Sequence, residues 1–456
     1  MKIIPIVLSV IPLTAFSQSD VPSRPVGDGV RSLTLEQAVL SALTGNRELL
    51  TSKLEVEKAE ARVSEAVGFA LPTLDLQASY TRALKKPVFY LPDFQDPASG
   101  RITPIEIGST HQFDMTLTAE QVLFNSTVFI GLGTARTYLD VTSELYRAKK
   151  VETVTKIRRA FYAVLVSSAV LDMMRENLEN ASENLRNVQL LTAQGLVSEY
   201  DQLRAEVGLE NIRPEVIKAE NNHRLSLNNL KVMMGMRFEE EINVQGTLEF
   251  EPVDDNVLQS ALSTVLQDNP SLRALRKQAE VNDAFVSVER ADYLPKLSAF
   301  GNLQYSAQNN MLRISLPDFI GSSVVGLRLS MNLFRGLQTN ARVEQAQIDL
   351  QQSKEMILDL ENTLQTSVES ILSQLTRARE RVEAQVRTVE QAEKGYHIAT
   401  IRFTSGSGTQ LEVHDAQLAL TQAKVNRIEA VYDYLVASAD LDQVLGRVPA
   451  YADSKN

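Results

Sequence analysis

The chain contains no cysteine and no tryptophan. Without cysteine there is no disulfide, no thiolate metal site, no cysteine nucleophile and no lipid anchor attached through a thiol. Clustered positive charge is missing too: 46 Lys and Arg stand against 57 Asp and Glu, for a net charge of −11. Binding to phosphate backbones needs grouped cations, so the composition argues against a nucleic-acid partner. Long apolar runs are absent beyond the N-terminus. The best, "FYAVLVSSAVLDMM" at 161–174, falls short of the roughly 20 residues a spanning helix needs. The mature chain is therefore soluble and exported, or it crosses a membrane by β-strands. Histidine is scarce, and His111, His223, His397 and His414 lack metal-ligand spacing. No metal site is expected from them.

Against these absences stand an export signal and many helix formers. "MKIIPIVLSVIPLTAFSQSD" has a basic Lys2, an apolar stretch from Ile3 to Leu13 and a small-x-small site at Ala15-Phe16-Ser17. Residues 1–17 are expected to be a cleaved signal peptide, and 18–32, with Pro22, Pro25, Gly27 and Gly29, a flexible leader. Ala, Leu, Glu, Gln, Val and Arg dominate the remainder, which favours long helices.

The rest reads as one unit written twice. "AVLSALTGNRELL" (38–50) aligns with "ALSTVLQDNPSLR" (261–273), placing Asn46 on Asn269. The same offset carries Leu71-Pro72-x-Leu74 onto Leu294-Pro295-x-Leu297. "QVLFN" (121–125) matches "MNLFR" (331–335), and Gly195, Ala205 and Gly235 fall on Gly406, Ala416 and Gly446. The expected organisation is a first copy at 33–235, a linker at 236–255, a second copy at 256–446 and a tail at 447–456. Each copy reads helix, strand, loop, strand, long helix, turn, helix. The first copy opens with a helix over 35–70, capped by Thr34 with Gln37 three residues on.

Where the first helix meets Pro72 or Pro295, the apolar period changes from helical to alternating. Proline restricts the residue before it and ends the helix there. Strands are predicted at 74–81, 113–122, 297–307 and 324–333. Leu74, Leu76, Ala78 and Tyr80 share one face and Asp75, Gln77, Ser79 and Thr81 the other. Phe113, Met115, Leu117 and Ala119 oppose Asp114, Thr116, Thr118 and Glu120. In the second copy Leu297, Ala299, Leu303 and Tyr305 form one row, and Val325, Leu327, Leu329, Met331 and Leu333 another. About 10 residues with an apolar and a polar face suit a tilted strand between lipid and a wet lumen. Four such strands cannot close a wet barrel alone, so several chains must contribute.

The long helices point the same way. A stretch of about 66 residues spans roughly 100 Å, and such a rod survives only by pairing along its length. Ile357, Leu360, Leu364, Val368, Ile371, Leu375, Ala378, Val382, Val386 and Val389 recur at threes and fours, as in a coiled-coil seam. The other helices, at about 36 residues, are half as long, so two stacked end to end would match one long rod.

The duplication, the "LP" junctions, the "LF" after each second strand and the two glycine turns together resemble the TolC family of bacterial outer-membrane efflux proteins, over about 33–446. "QGLVSEYDQLRAE" (194–206) is similar to the family's first-turn pattern at Gly195, Leu196, Val197 and Asp201. "FTSGSGTQLEVHDAQ" (403–417) is similar to its second, with Gly406, Ser407, Thr409, Glu412, Asp415 and Gln417. The resemblance implies a mainly α fold with membrane β: a coiled-coil helical barrel, plus four strands per chain in a trimeric 12-stranded β-barrel. It implies a homotrimer in outer-membrane lipid with a long periplasmic portion. The chain would be a passive duct of a tripartite efflux or type I secretion system, its tip turns docking a periplasmic adaptor (membrane fusion) protein. An inner-membrane RND or ABC pump would drive it, with no catalysis and no cofactor in the chain.

At the tip, the resemblance implies a gate at Asp201, Phe403, Glu412 and Asp415. Threefold symmetry would turn the three acids into rings that attract cations; equally, they sit in or near first helical turns, where negative charge is favourable anyway. Gly408 and Phe403 stand where the family's best-known member has an arginine and a tyrosine, so the polar links that close its gate are not carried over. Ser198 and Thr409 are expected to cap the helices after the turns.

Weaker signals read as packing. "GLG" at 131–133 and "SGSG" at 405–408 lack the context of a phosphate loop. Met173-Met174 and Met233-Met234-x-Met236 read as core filler. Tyr80, Phe89, Tyr90 and Phe94 suit either an aromatic girdle or loop packing. Asp93, Asp96 and Glu106, in the loop at 82–110, have no partner pattern that would make an enzyme. The rival reading is an exported coiled-coil stalk without a through-channel.

Overall fold

The computed structural model describes residues 31–92, 102–312 and 315–453. The signal segment, most of the expected leader, Asp93, Phe94 and Asp96 lie outside the described residues. In chain order the elements are β1 (Arg31–Leu33), α1 (Leu35–Gly45), α2 (Arg47–Gly68), β2 (Thr73–Arg82), β3 (Val88–Pro92), β4 (Ile102–Glu106) and β5 (His111–Phe124). Next come α3 (Ser126–Ala193), α4 (Glu199–Met234), β6 (Ile242–Val244), α5 (Asp255–Asp268) and α6 (Pro270–Arg290). The series ends with β7 (Lys296–Asn309), β8 (Ile320–Ser330), α7 (Gln338–Thr404), α8 (Gln410–Val444) and α9 (Ala450–Asp453).

The two rods, α3 of 68 residues and α7 of 67, carry the architecture. Each packs α4 or α8 along one part of its length and α2 or α6 along another, so the short helices do stack end to end against a long one. The seam on α7 is buried at Leu364, Val368, Ile371, Leu375, Ala378, Val382 and Val389. Ile357 and Leu360 pack half-buried beside it. Val386 is the exception, with 38% of its surface exposed.

The helix predicted over 35–70 is broken. Thr34 and Gln37 form the expected capping box on α1, but Asn46 is extended at φ −65°, ψ 123° and starts a new helix. Its side chain accepts from the Leu49 amide and donates to the Met233 carbonyl at 2.7 Å. Asn269 repeats this between α5 and α6, accepting from the Leu272 amide and donating to the Val444 carbonyl at 2.8 Å. These asparagines sit where the stacked helices abut. A methyl on Gly235 would overlap the Gly45 carbonyl; one on Gly446 would lie 2.6 Å from the Pro270 ring and 2.9 Å from the Asp268 carbonyl. Periodicity could not expose the break, because the apolar spacing runs through it; the asparagine's polar reach across the seam causes it.

The main cores lie at these junctions. Ala38, Val39 and Ala42 of α1 pack with Ile157, Phe161 and Val164 of α3 and Leu230 and Met234 of α4. Ala261, Val265 and Leu272 pack with Leu364, Val368, Tyr434 and Leu441 in the second copy. Removing one such leucine would cost about 2–5 kcal/mol. Arg158–Asp442 and Arg159–Asp440 tie α3 to α8. Three segments expected to be irregular are ordered: β1 pairs parallel with β6 of the linker, α9 of the tail inserts Ala452 into the first core, and β3 pairs with β4 inside the 82–110 loop.

The membrane-type strands form one antiparallel sheet in the order β2-β5-β7-β8. Its register sets Leu74 beside Ala119, Leu76 beside Leu117, Ala78 beside Met115 and Tyr80 beside Phe113. Across the next seam Met115 meets Tyr305 and Leu117 meets Leu303; then Ala299 meets Leu327 and Leu297 meets Leu329. The paired residues of each predicted apolar row thus fall on one face, with Asp75, Thr116, Thr118, Glu120, Asn302 and Gln304 on the other. The fourth strand begins earlier than expected, at Ile320, and ends at Ser330, so Met331 and Leu333 lie beyond it. Gly326 and Gly321 inside that strand, which weaken a sequence reading, accommodate the Phe300 and Tyr305 rings opposite.

Candidate functional site

Two surfaces carry the residues singled out from the sequence: the helix turns at one end of the molecule and the sheet at the other. At the first turn Gly195 has φ +72°, and at the second Gly406 has the same value. This left-handed geometry costs an L side chain about 1–2 kcal/mol. Each turn closes with paired hydrogen bonds, Gly195 N to Thr192 O with Leu196 N to Leu191 O, and Gly406 N to Phe403 O with Ser407 N to Arg402 O. This is the six-to-one and five-to-two pattern that satisfies the last carbonyls of a helix. Ser198 then caps α4, in a reciprocal box with Asp201, and Thr409 caps α8 by accepting from the Glu412 amide.

The fold brings the two turns side by side. Gly195, Leu196, Val197, Ser198 and Asp201 face Phe403, Gly408 and Thr409 across one open cleft. Beneath it, Val188, Ala205, Ala399, Phe403 and Val413 form a small core drawn from all four tip helices. Phe403 is thus a packing residue that joins the two coils within this chain. Gly408 has its own constraint: a methyl there would lie 2.9 Å from Arg402 Cβ and 3.1 Å from the Arg402 carbonyl carbon. The turn's tightness excludes an arginine in this geometry. Leu196 and Ser407 are exposed, and Leu196 keeps 67% of its surface open to solvent.

The acids behave differently from one another. The Asp201 carboxylate accepts from Ser198 N at 3.2 Å and from Ser198 Oγ at 2.6 Å, and so completes a cap. Glu412 lies 3.4 Å from Arg402, whose guanidinium also donates to the Ser407 carbonyl. Asp415 is exposed and makes no ion pair among the described residues. Sequence reasoning passed over Arg402, the cation that clamps the second turn, because an arginine near a helix C-terminus is commonplace. It also passed over Tyr200, Leu203 and Val207, an exposed apolar stripe on α4 whose i, i+3, i+7 spacing was legible.

At the sheet, Pro72 lies between the end of α2 and β2, and Pro295 directly before β7. The apolar face is open: Leu74, Leu76, Val325, Leu327 and Leu329 each expose 65% or more. The Tyr80 ring packs tilted against Phe113, 4.6 Å between centroids, and its hydroxyl bonds His111 Nδ1 at 2.7 Å, while Phe89 and Tyr90 are exposed on β3. The other polar candidates are structural. His223 bonds Ser167, and its pKa is lowered chiefly by burial. Met234 is fully buried. No helix among the described residues is long and apolar enough to cross a membrane.

The model of the outer membrane efflux protein family matches the chain twice, over 39–236 and 261–447. Outer membrane protein TolC of Salmonella enteritidis is 22% identical over 419 residues, covering 90% of this chain and 82% of that protein. Alkaline protease secretion protein AprF of Pseudomonas aeruginosa is 22% identical over 328 residues, covering 72% of this chain and 68% of its own length. Among solved structures, the CmeC outer membrane channel of Campylobacter jejuni superposes with a TM-score of 0.75 at 18% identity, covering 90% of this chain and 85% of that one. The fold is therefore a helical barrel segment with a β contribution, shared by outer-membrane channels. The chain belongs to the outer membrane efflux protein family.

Proposed function

We propose that three copies of this chain close into one conduit, a 12-stranded barrel in the outer membrane continued by a helical tunnel through the periplasm. The observation that carries this is the four-stranded sheet: one face is an open apolar band, and among the described residues both edge strands lack a neighbour on their outer side. Open edges are not tolerated in hydrocarbon, so such a sheet must be completed by further strands. Further copies of the same sheet supply them with no new part.

The chain acts as a passive duct and performs no chemistry. Its two tip turns, with Gly195, Leu196, Val197, Gly406, Ser407 and Thr409, dock a periplasmic adaptor, and an inner-membrane pump of the RND or ABC type supplies energy and selects the cargo. Leu196, exposed beside two backbone turns, offers an open apolar contact for another protein. AprF is named for secretion of a protease, and the present family for efflux, so both small-molecule and protein cargo suit the same duct.

Asp415 and Glu412 are the candidates for cation binding at the entrance, Asp415 being the one without an ion-pair partner among the described residues. Neutralising both is expected to weaken block of the channel by divalent ions, and unchanged block removes them from the gate. The proposal as a whole is tested by mild crosslinking in cells from a cysteine placed at Leu196. An adaptor and pump should co-purify; recovery of neither, with the trimer intact, refutes the docking role.

A further inference from the structure

The two open edges, β2 and β8, are not chemically equivalent. On the polar face, β2 carries Asp75 and β8 carries Arg328, and neither has an ionic partner among the described residues of its own chain. Arg328 lies over the Phe300 ring at 4.8 Å, and that ring fills the space above Gly326, so the guanidinium is held at the edge of the sheet. Other charges on this face are engaged or displaced. Asp114 is bonded by Gln112 and Ser306, and Lys296 pairs with Asp292. Glu120 stands opposite Phe300, two strands from β8, and makes no ion pair with Arg328.

The strands themselves select a register for a seam between copies. β2 and β8 run antiparallel within the sheet, so β8 of one copy can continue onto β2 of the next without changing the alternation. A shift by one residue would turn every apolar side chain to the wrong face, which removes half of the registers. Among the rest, only one pairs all ten residues of β2 with residues of the eleven-residue β8. It sets Thr73 opposite Ser330 and Arg82 opposite Gly321. On the outer face it puts Leu74 beside Leu329, Leu76 beside Leu327 and Ala78 beside Val325. On the inner face it puts Asp75 directly opposite Arg328.

We propose that Arg328 of one copy forms an ion pair with Asp75 of the next, three times around the barrel, and that this pair sets the register of the seam between copies. The occupant of the open edge is a second copy of this chain. The inference rests on the reading of the chain as one third of a closed barrel. A wrong partner, or a register shifted by two, leaves both charges unpaired on the inner face, whereas the matched seam pairs both.

The absence of native cysteine allows a direct test. The full chain carrying Asp75→Cys with Arg328→Cys is oxidised in isolated outer membranes and run without reductant. Opposed residues on antiparallel strands have Cα atoms about 4.5–5.5 Å apart, within reach of a disulfide. The expected result is a covalent trimer, with each single-cysteine variant staying monomeric. The offset pairs Thr73→Cys or Gln77→Cys with Arg328→Cys should crosslink more than about tenfold slower, since their Cα separation exceeds that reach. Faster reaction of either offset pair overturns the register, as does no reaction of any pair in protein that native mass spectrometry shows to be trimeric. A monomer in that measurement overturns the closed barrel, and the seam with it.

Charge exchange tests the pair by a second route. Asp75→Arg and Arg328→Asp should each lower the temperature to which the trimer survives in SDS, and the double exchange should restore most of the loss. A double exchange as weak as the worse single variant overturns the ion pair.

Discussion

The chain uses glycine at the ends of helices in two places, for two reasons. At mid-length, Gly235 and Gly446 are pressed against the backbone of the helix junction they abut, and an added methyl would collide. At the tip, Gly195 and Gly406 have the same left-handed backbone, with φ +72° against +69° and +71°, but nothing within 4 Å of where a Cβ would stand. The turn geometry is shared; only the surroundings differ. The mid-length glycines serve packing between stacked helices. The tip glycines leave open space in front of a turn, and that space is what the proposed docking of an adaptor would use.

The largest expected effect is at mid-length. Gly235→Val combines a left-handed β-branched residue with a clash against the Gly45 carbonyl, and should destabilise by about 3 kcal/mol or more. Chemical denaturation in detergent, or loss of folded protein from the outer membrane, would show it. A variant as stable as the parent would break the contrast with the tip. Next is Asn269→Ala, which removes the cap on Leu272 and the bond to Val444. About 2 kcal/mol of stability should be lost, read as a shift in denaturation midpoint.

Gly406→Ala should cost less, about 1–2 kcal/mol of backbone strain, and trimers should persist. A bulky charge there, as in Gly406→Glu, should instead abolish drug resistance or export in cells while trimers remain in SDS gels. Normal export in that variant would equate the two glycine classes.

The smallest effect concerns the ion pairs that line α2 and α3 beside the mid-length junction. A hydrogen bond from Lys149, at 2.7 Å, and its charge hold the Glu48 carboxyl below the usual carboxylate range. The same bond raises the Lys149 pKa, against a smaller opposing effect of burial. The Glu48 contribution is present above its unfolded pKa and is lost as pH falls through the lowered folded value. The Lys149 contribution is present below its unfolded pKa and is lost as pH rises through the raised one. Both therefore act together between about pH 4.3 and 10.4. Glu48→Gln should barely move the midpoint at neutral pH, and the small difference from the parent should vanish in acid.

Much of this fold could be read from the sequence because alternation and heptad-like spacing are long-range signals. Leu74 to Tyr80 and Leu364 to Val389 announce a face and a seam over many residues, and the register and burial follow them. The helix break at Asn46 was hidden, because its cause is a hydrogen bond to Met233, distant in sequence. The early start of β8 was hidden by Gly321, whose fit to the facing Tyr305 ring exists only in the sheet. At the tip, Gly195, Gly406, Ser198 and Thr409 were legible because turn and cap chemistry is local. That Phe403 is buried between coils depended on which helices the fold brings together; the Arg402 clamp is local, but an arginine near a helix C-terminus is too common a signal to stand out.

A conduit requires a continuous passage through the assembled chain. Reconstitution of the purified protein into planar bilayers, with single-channel recording, reads that passage out. Discrete conductance steps should appear, and should fall when divalent ions are added on the side of the helical tip. Trimeric, membrane-inserted protein that gives no conductance steps, in any salt and at any voltage the bilayer withstands, would identify a stalk and contradict the conduit.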